Sequence, residues 1–183
     1  VVVDPGDAAP VERYLSENGL TLSALLITHH HPDHVGGIAA LIRDRDIPVY
    51  GPAAESIPAM SHPLRDGDTL TPAGTDLSFS VMAVPGHTLG HIAFINAAQG
   101  WLFCGDTLFA GSIGRTDFPL SNPALAVESL RRLMALPEHI RVHSGHGPVT
   151  TLGHELRTNP FLAYLRVERG LPVGPSIRWA PGT

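Results

Sequence analysis

Cys104 is the only cysteine among 183 residues, so neither an internal disulfide nor a cysteine-built zinc finger is available. Any metal must be held by other side chains. Lysine is absent, and 12 arginines against 17 acidic residues leave a formal charge of −5 with no local basic stripe to offset it. Such a field repels polyphosphate, which argues against a nucleic-acid partner. No apolar run approaches the roughly 20 residues of a membrane-spanning helix, so no membrane span is expected. Charged residues make up only 16% and hydrophobic residues 43%, the balance of one ordinary globular domain, expected over residues 1–183. The chain opens Val1-Val2-Val3-Asp4-Pro5-Gly6 with no initiator Met and no basic leader. That reads as a start partway through a strand, with some N-terminal strand residues lacking, which leaves any upstream targeting segment invisible. What is abundant is glycine (19), proline (17) and histidine (11). The first two favour many turns, and the meaning of the third depends on where the histidines fall.

Leu22 to Ile27 is an apolar run broken only by Ser23, as a strand buried on both faces would be. Pro32 to Arg43 carries Val35, Ile38, Ala39, Leu41 and Ile42 at helical spacing, with Pro32 in the permitted first turn. Ile47 to Tyr50 is a second short strand, closing a β-α-β unit. Strands are then predicted at Asp76 to Val84, Ile92 to Asn96 and Trp101 to Cys104, an antiparallel meander separated by turn residues. Asn122-Pro123 opens a helix that buries Leu125, Leu130, Leu133, Met134 and Leu136 and is ended by Pro137. A strand follows at Ile140 to His143. A helical segment over about 152–170 is interrupted by Pro160, and a tail covers 171–183. Helices alternating with sheet in both halves predict an α/β layered fold, two sheets inside and helices outside.

Thr28-His29-His30-His31-Pro32-Asp33-His34 places His29 and His31 two residues apart at a strand end, on the same face, where they can share one ion. Asp33 and His34 lie at the start of the following helix, aimed at a neighbouring point. Three further segments each follow a strand with a glycine-bearing loop holding a potential ligand: Val84-Pro85-Gly86-His87, Cys104-Gly105-Asp106 and His143-Ser144-Gly145-His146-Gly147.

Through Thr28 to His34, Pro85-Gly86-His87-Thr88-Leu89-Gly90-His91, Gly105-Asp106-Thr107-Leu108-Phe109 and Ser144-Gly145-His146-Gly147-Pro148, the chain resembles the metallo-β-lactamase superfamily, and within it the glyoxalase II-like thioester hydrolases. The likeness runs from Asp4 to about Leu162. Gly114-Arg115-Thr116-Asp117-Phe118 and Asn159-Pro160-Phe161-Leu162 place it with the short bacterial subgroup. The resemblance implies a four-layer αβ/βα sandwich. It also implies that His29, His31 and His87 hold one metal, Asp33, His34 and His146 another, and that Asp106 bridges both. Imidazole and carboxylate donors without thiolate suit two divalent ions, zinc first, with iron or manganese also compatible. The implied reaction is hydrolysis of a thioester such as S-lactoylglutathione by a metal-bridging hydroxide, with Asp33 accepting its proton. A thiolate of pKa about 8.5 leaves without a strong general acid.

His91 belongs to the family pattern without being one of its ligands, and is expected to support the loop by hydrogen bonding. His30 faces away from His29 and His31, and His62, His139, His143 and His154 have no partner pattern. Cys104 reads as a small buried hydrophobe, and Asp4 as a turn residue bracing the metal loops. Arg115 has two readings, gripping a substrate carboxylate at the metal mouth or pairing with Asp117. The absence of lysine and the short stretch after His146 depart from the larger glyoxalase II enzymes, which puts glutathione as the carrier in question. The competing functions are a mononuclear iron persulfide dioxygenase, which the resemblance places on His29, His87 and Asp106, and a metal-binding scaffold without activity. A secreted β-lactamase and a nuclease are disfavoured. The expected partner is a small-molecule thioester, and the sequence assigns no oligomeric state. A cytoplasmic location is the expectation that accompanies the thioester reading.

Overall fold

The computed structural model describes residues 1–172. Its first half runs β1 (Val2–Val3), α1 (Ala8–Glu17), β2 (Leu25–Leu26), α2 (Pro32–Val35), α3 (Ile38–Ile42), β3 (Val49–Pro52), β4 (His62–Leu64) and β5 (Thr69–Leu70). Then come β6 (Phe79–Ala83), β7 (Ile92–Asn96), β8 (Trp101–Gly105), β9 (Leu108–Phe109), β10 (Ser112–Ile113) and α4 (Pro123–Met134). The described residues end with β11 (Arg141–Ser144), β12 (Thr150–Thr151), α5 (Leu152–Thr158), a 3-10 turn (Pro160–Leu162) and α6 (Ala163–Glu168). Of the expected tail over 171–183, residues 173–183 lie outside the described residues.

Two main sheets form. β1-β2-β3-β4 is parallel throughout, whereas the second has the order β12-β11-β8-β7-β6-β5. The predicted meander is present, because β6, β7 and β8 pair antiparallel in sequence order, and β11 then joins β8 in parallel. Side-chain alternation along these strands builds three apolar layers. Leu25 and Ile27 point to the outer helices, packing with Ile38, Leu41 and Val49, while Leu26 points the other way. The layer between the sheets holds Leu26, Leu64, Phe79, Val81, Ile92 and Phe94. On the far side of the second sheet, Ala93, Ile95, Leu102 and Cys104 meet Leu130, Leu133 and Met134 of α4 and Leu156 and Leu165 of α5 and α6. Three apolar interfaces between four layers give the αβ/βα sandwich. All five residues of β7 are buried because this strand faces two of those interfaces at once.

Several elements differ from expectation. The helix predicted over Pro32 to Arg43 is two short helices, broken at Gly36 and Gly37. Both glycines press on the chain near Pro5 to Asp7: a Cβ on Gly36 would overlap the Gly6 carbonyl, and one on Gly37 the Pro5 carbonyl. Gly37 N–H donates to Pro5 O at 2.7 Å instead of continuing the helix ladder. Helix α1 was not anticipated; Asp7 caps it by accepting from Ala9 N–H at 3.0 Å. Leu125, expected in the core, is 38% exposed on the solvent side of α4. Among the described residues no helix is long and apolar enough to cross a membrane.

Candidate metal centre

The candidate ligands sit in loops beyond strand ends, or, for Asp33 and His34, in the short helix α2 that follows such a loop, and these segments gather at one edge of the sandwich. His29 to His34 follow β2 in the first sheet; His87 follows β6, Asp106 follows β8 and His146 follows β11 in the second. The site is therefore assembled across the two sheets.

The ligand atoms of His29, His31 and His87 all lie within 4.8 Å of one another, as do those of Asp33, His34 and His146. Within the first group, His31 Nδ1 is 3.2 Å from His29 Nε2 and 2.9 Å from His87 Nε2. Hydrogen bonds outside the cluster fix which nitrogen carries the proton. The Thr28 hydroxyl donates to Asp4 Oδ2 at 2.7 Å, so it accepts from His29 Nδ1–H at 3.0 Å and leaves the His29 Nε2 lone pair facing inward. His87 Nδ1–H donates to Arg115 O at 2.8 Å, which likewise turns a lone pair inward. Two lone pairs thus converge on one His31 nitrogen, which can donate to at most one of them. Burial drives the His29 pKa far down, and burial together with His87 lowers that of His31, so both rings are neutral. Three imidazole nitrogens at this spacing suit a cation, and a tetrahedral zinc with bonds of about 2.0–2.1 Å sets its ligands at comparable separations.

The second group has the same logic. His34 Nδ1–H donates to Asp4 Oδ2 at 3.0 Å, and His34 Nε2 is enclosed without a hydrogen-bond partner, as is Asp106 Oδ1. The two atoms are 3.4 Å apart. His146 Nε2 lies 3.2 Å from Asp33 Oδ2 and 3.4 Å from Asp106 Oδ2. Asp106 Oδ2 is also 3.6 Å from His87 Nε2, so this one carboxylate touches both groups. Burial opposes a charge on His34, but the Asp106 and Asp4 carboxylates outweigh it and raise its pKa to about 10. Burial also opposes the Asp106 charge, yet His34 foremost, with His146 and His87, holds its carboxyl below the usual range. Negative charge converges at this point, and a divalent cation bound there would take the place of the His34 proton. The neighbouring Gly145 is obligatory, because a Cβ there would overlap Asp106 Oδ1 and the His34 ring.

Asp4 also lies within ligand distance of His29 and His34. Its oxygens are already engaged by Thr28 N–H, the Thr28 hydroxyl and His34 Nδ1–H, which makes it the expected brace. His91 stacks on His29, centroids 4.5 Å apart, and its Nε2 accepts from Asp106 N–H at 3.2 Å. With Nδ1–H donating to Ile92 O, neither nitrogen is left for a metal. Burial lowers the His91 pKa to about 3. His30 points away from the cluster onto Glu55. His143 stacks on Phe103 instead of joining a ligand group. Sequence reading missed Thr28 as the residue fixing the His29 tautomer and Glu55 as the partner of His30; no spacing in the sequence marks either.

A cavity of about 650 Å³ opens over both groups, lined by His31, Asp33, His87, Asp106 and His146 together with Phe109, Arg115, Phe118 and Pro119. That size suits a small organic ligand. Arg115 spends Nε and Nη2 on Asp117 at 2.9 and 2.8 Å and lies 4.3 Å over the Phe118 ring, so the pairing foreseen with Asp117 is present at the cavity mouth.

The family model described as "Metallo-beta-lactamase superfamily" matches residues 1–146. A hydroxyacylglutathione hydrolase of Nitrosomonas eutropha is 49% identical over 146 residues, 80% of this chain and 56% of the relative. The chain thus spans about half the length of the curated relatives it matches. Among solved structures, the BLEG-1 B3 metallo-beta-lactamase superposes with a TM-score of 0.79 at 36% identity, covering 87% of this chain and 86% of the other. TTHA1623 in a di-iron-bound form superposes with 0.76 at 40% identity, covering 88% of each. The four-layer sandwich, the ligand-bearing loops at one edge and a family match over most of the length agree, and the chain belongs to the metallo-beta-lactamase superfamily.

Proposed function

We propose that the protein is a binuclear metallohydrolase that cleaves acyl thioesters of the S-lactoylglutathione type. The observation that carries this reading is the position of Asp106, whose Oδ1 lies 3.4 Å from His34 Nε2 and whose Oδ2 lies 3.6 Å from His87 Nε2. His29, His31 and His87 would hold one cation, Asp33, His34 and His146 the other, with Asp106 between them. Zinc fits this nitrogen and oxygen donor set, and the di-iron form of TTHA1623 shows iron in a related protein. When bound, two divalent cations supply hydroxide at neutral pH and polarise a carbonyl oxygen.

The chain's own residues do the rest. Asp33 is 59% exposed at the cavity edge, so while Oδ2 faces His146 its other oxygen is free to accept the proton of the attacking nucleophile. Phe109, Phe118 and Pro119 give the acyl group an apolar wall that excludes water. Arg115 places a permanent cation at the mouth, where its Nη1 edge can take a carboxylate of the carrier thiol. His91 holds the Asp106 backbone in place. The departing thiolate, of pKa about 8.5, needs no acid. The hydroxyacylglutathione hydrolase relatives support the same substrate class. A cytoplasmic location belongs to this reading, since carrier thiols are kept reduced there.

The test is a panel run on zinc-loaded protein: thiol release from S-lactoylglutathione and simple acyl thioesters, oxygen uptake with glutathione persulfide, and ring opening of a chromogenic β-lactam. The expected result is thiol release that a chelator abolishes and zinc restores. Oxygen uptake without thiol release would establish the dioxygenase instead, and metal binding with no turnover on any arm would leave a scaffold.

A further inference from the structure

Glu55 lies just past the end of β3, outside both ligand groups, and its side chain is only 4% exposed. Its two oxygens face different loops. Oε2 accepts from His30 N–H and from His30 Nδ1–H, both at 2.7 Å. Oε1 accepts from Gly90 N–H at 3.0 Å and from the Thr88 hydroxyl. One carboxylate therefore ties the His29–His31 loop of the first sheet to the loop after His87 in the second, gripping each next to a ligand. The grip is tight, because a Cβ on Gly90 would overlap the Glu55 side chain.

A buried carboxylate is costly unless its lone pairs are filled, and here four donors fill them. His31 Nδ1 and His87 Nε2, one residue from the two tie points, stand 2.9 Å apart. We infer that Glu55 is a positioning residue: it sets the spacing of His29 and His31 against His87 and thereby the cation affinity of that half of the centre. This rests on the ligand assignment proposed above. Glu55→Gln keeps the length but turns an amide NH₂ toward donors, so one of the two loops loses its hold. The second half-site has a different brace, Asp4, and is expected to keep its affinity.

The experiment titrates the purified full chain with Co²⁺ and Zn²⁺ against a chromophoric chelator and records the Co²⁺ visible spectrum. A matched control is Glu155→Gln. Glu155 is also a buried carboxylate that ties separate segments, through Gly111 N–H at 2.8 Å, the Thr150 hydroxyl at 2.6 Å and Asn159 Nδ2 at 2.9 Å, without touching a ligand loop. Glu55→Gln is expected to weaken one of two sites about 10- to 100-fold and to alter its Co²⁺ bands, while Glu155→Gln leaves both affinities and the spectrum unchanged. Thr88→Val removes a single donor and is expected to weaken the same site severalfold, which keeps the test available should Glu55→Gln fail to fold. Two wild-type affinities in both the Glu55→Gln and Thr88→Val proteins would overturn the inference and leave the ligand assignment standing. Equal weakening of both sites by Glu55→Gln and Glu155→Gln would overturn it in favour of general destabilisation. A wild-type chain that takes up neither cation would overturn both readings.

Discussion

At the scale of single residues, the candidate centre is governed less by the proposed ligands than by the groups that set their protons. Asp4 directs the Thr28 hydroxyl, which orients His29, and also takes His34 Nδ1–H. Its backbone has φ 48°, a left-handed conformation that asparagine also tolerates, so Asp4→Asn isolates the carboxylate from the backbone. The amide donor would face His34 Nδ1–H, and cation affinity at the second half-site is expected to fall about 10- to 100-fold in a chelator competition. Unchanged affinity would mean that the tautomer is fixed some other way. Cys104 is the opposite case. Burial pushes its thiol up to about 12. An aromatic disulfide reagent at pH 8 is expected to leave it untouched in the native protein and to react fully after denaturation, as followed by released chromophore. The histidine spacing was legible in the sequence because ligands on one loop are close in number. Thr28 and Glu55 were not, because a hydroxyl or a carboxylate acquires its role only when a distant loop arrives beside it.

At the scale of elements, legibility followed burial. β7 and α4 were plain because their apolar residues face well-defined layers, and Asn122 announces α4. Its Oδ1 accepts from Ala124 and Leu125 N–H at 3.0 and 3.1 Å. Asn122→Ala is expected to cost about 1 kcal/mol in denaturant unfolding without altering metal content. A larger loss accompanied by loss of metal would show that the cap also holds the His87 loop, to which Asn122 N–H is joined at Gly86 O. Helix α1 has no counterpart among the predicted elements: it has no fully buried residue, so its apolar spacing is weak, and Pro10 stands at its third position. In a first turn the missing N–H costs nothing. The break at Gly36-Gly37 was hidden for a related reason: helical spacing continued through it, and only the packing of Pro5 to Asp7 against those glycines stops the helix.

At the scale of the whole molecule, both half-sites are built from two sheets. His29, His31, Asp33 and His34 come from the first, and His87, Asp106 and His146 from the second. Cations held there would act as staples between halves that otherwise meet through the apolar inter-sheet layer. Free metal at a thousandfold over its dissociation constant adds about 4 kcal/mol per site. For a domain of this size that corresponds to a rise in Tm on the order of 10 °C. Chelation, which empties both sites, is therefore expected to lower the calorimetric Tm by roughly twice that amount and zinc to restore it. An unchanged Tm would mean that the loops bind no cation in the folded state. The four layers were readable from the alternation of strands and helices, whereas the crossing of both half-sites between sheets was not, since it depends on which strand ends share an edge.

The most direct measurement is an anomalous-scattering map of the zinc-loaded crystal. Two peaks about 3.5–4 Å apart are expected, both within bonding distance of Asp106, with His29, His31 and His87 around one and Asp33, His34 and His146 around the other. A single peak on the first group, or none at either, would contradict that arrangement.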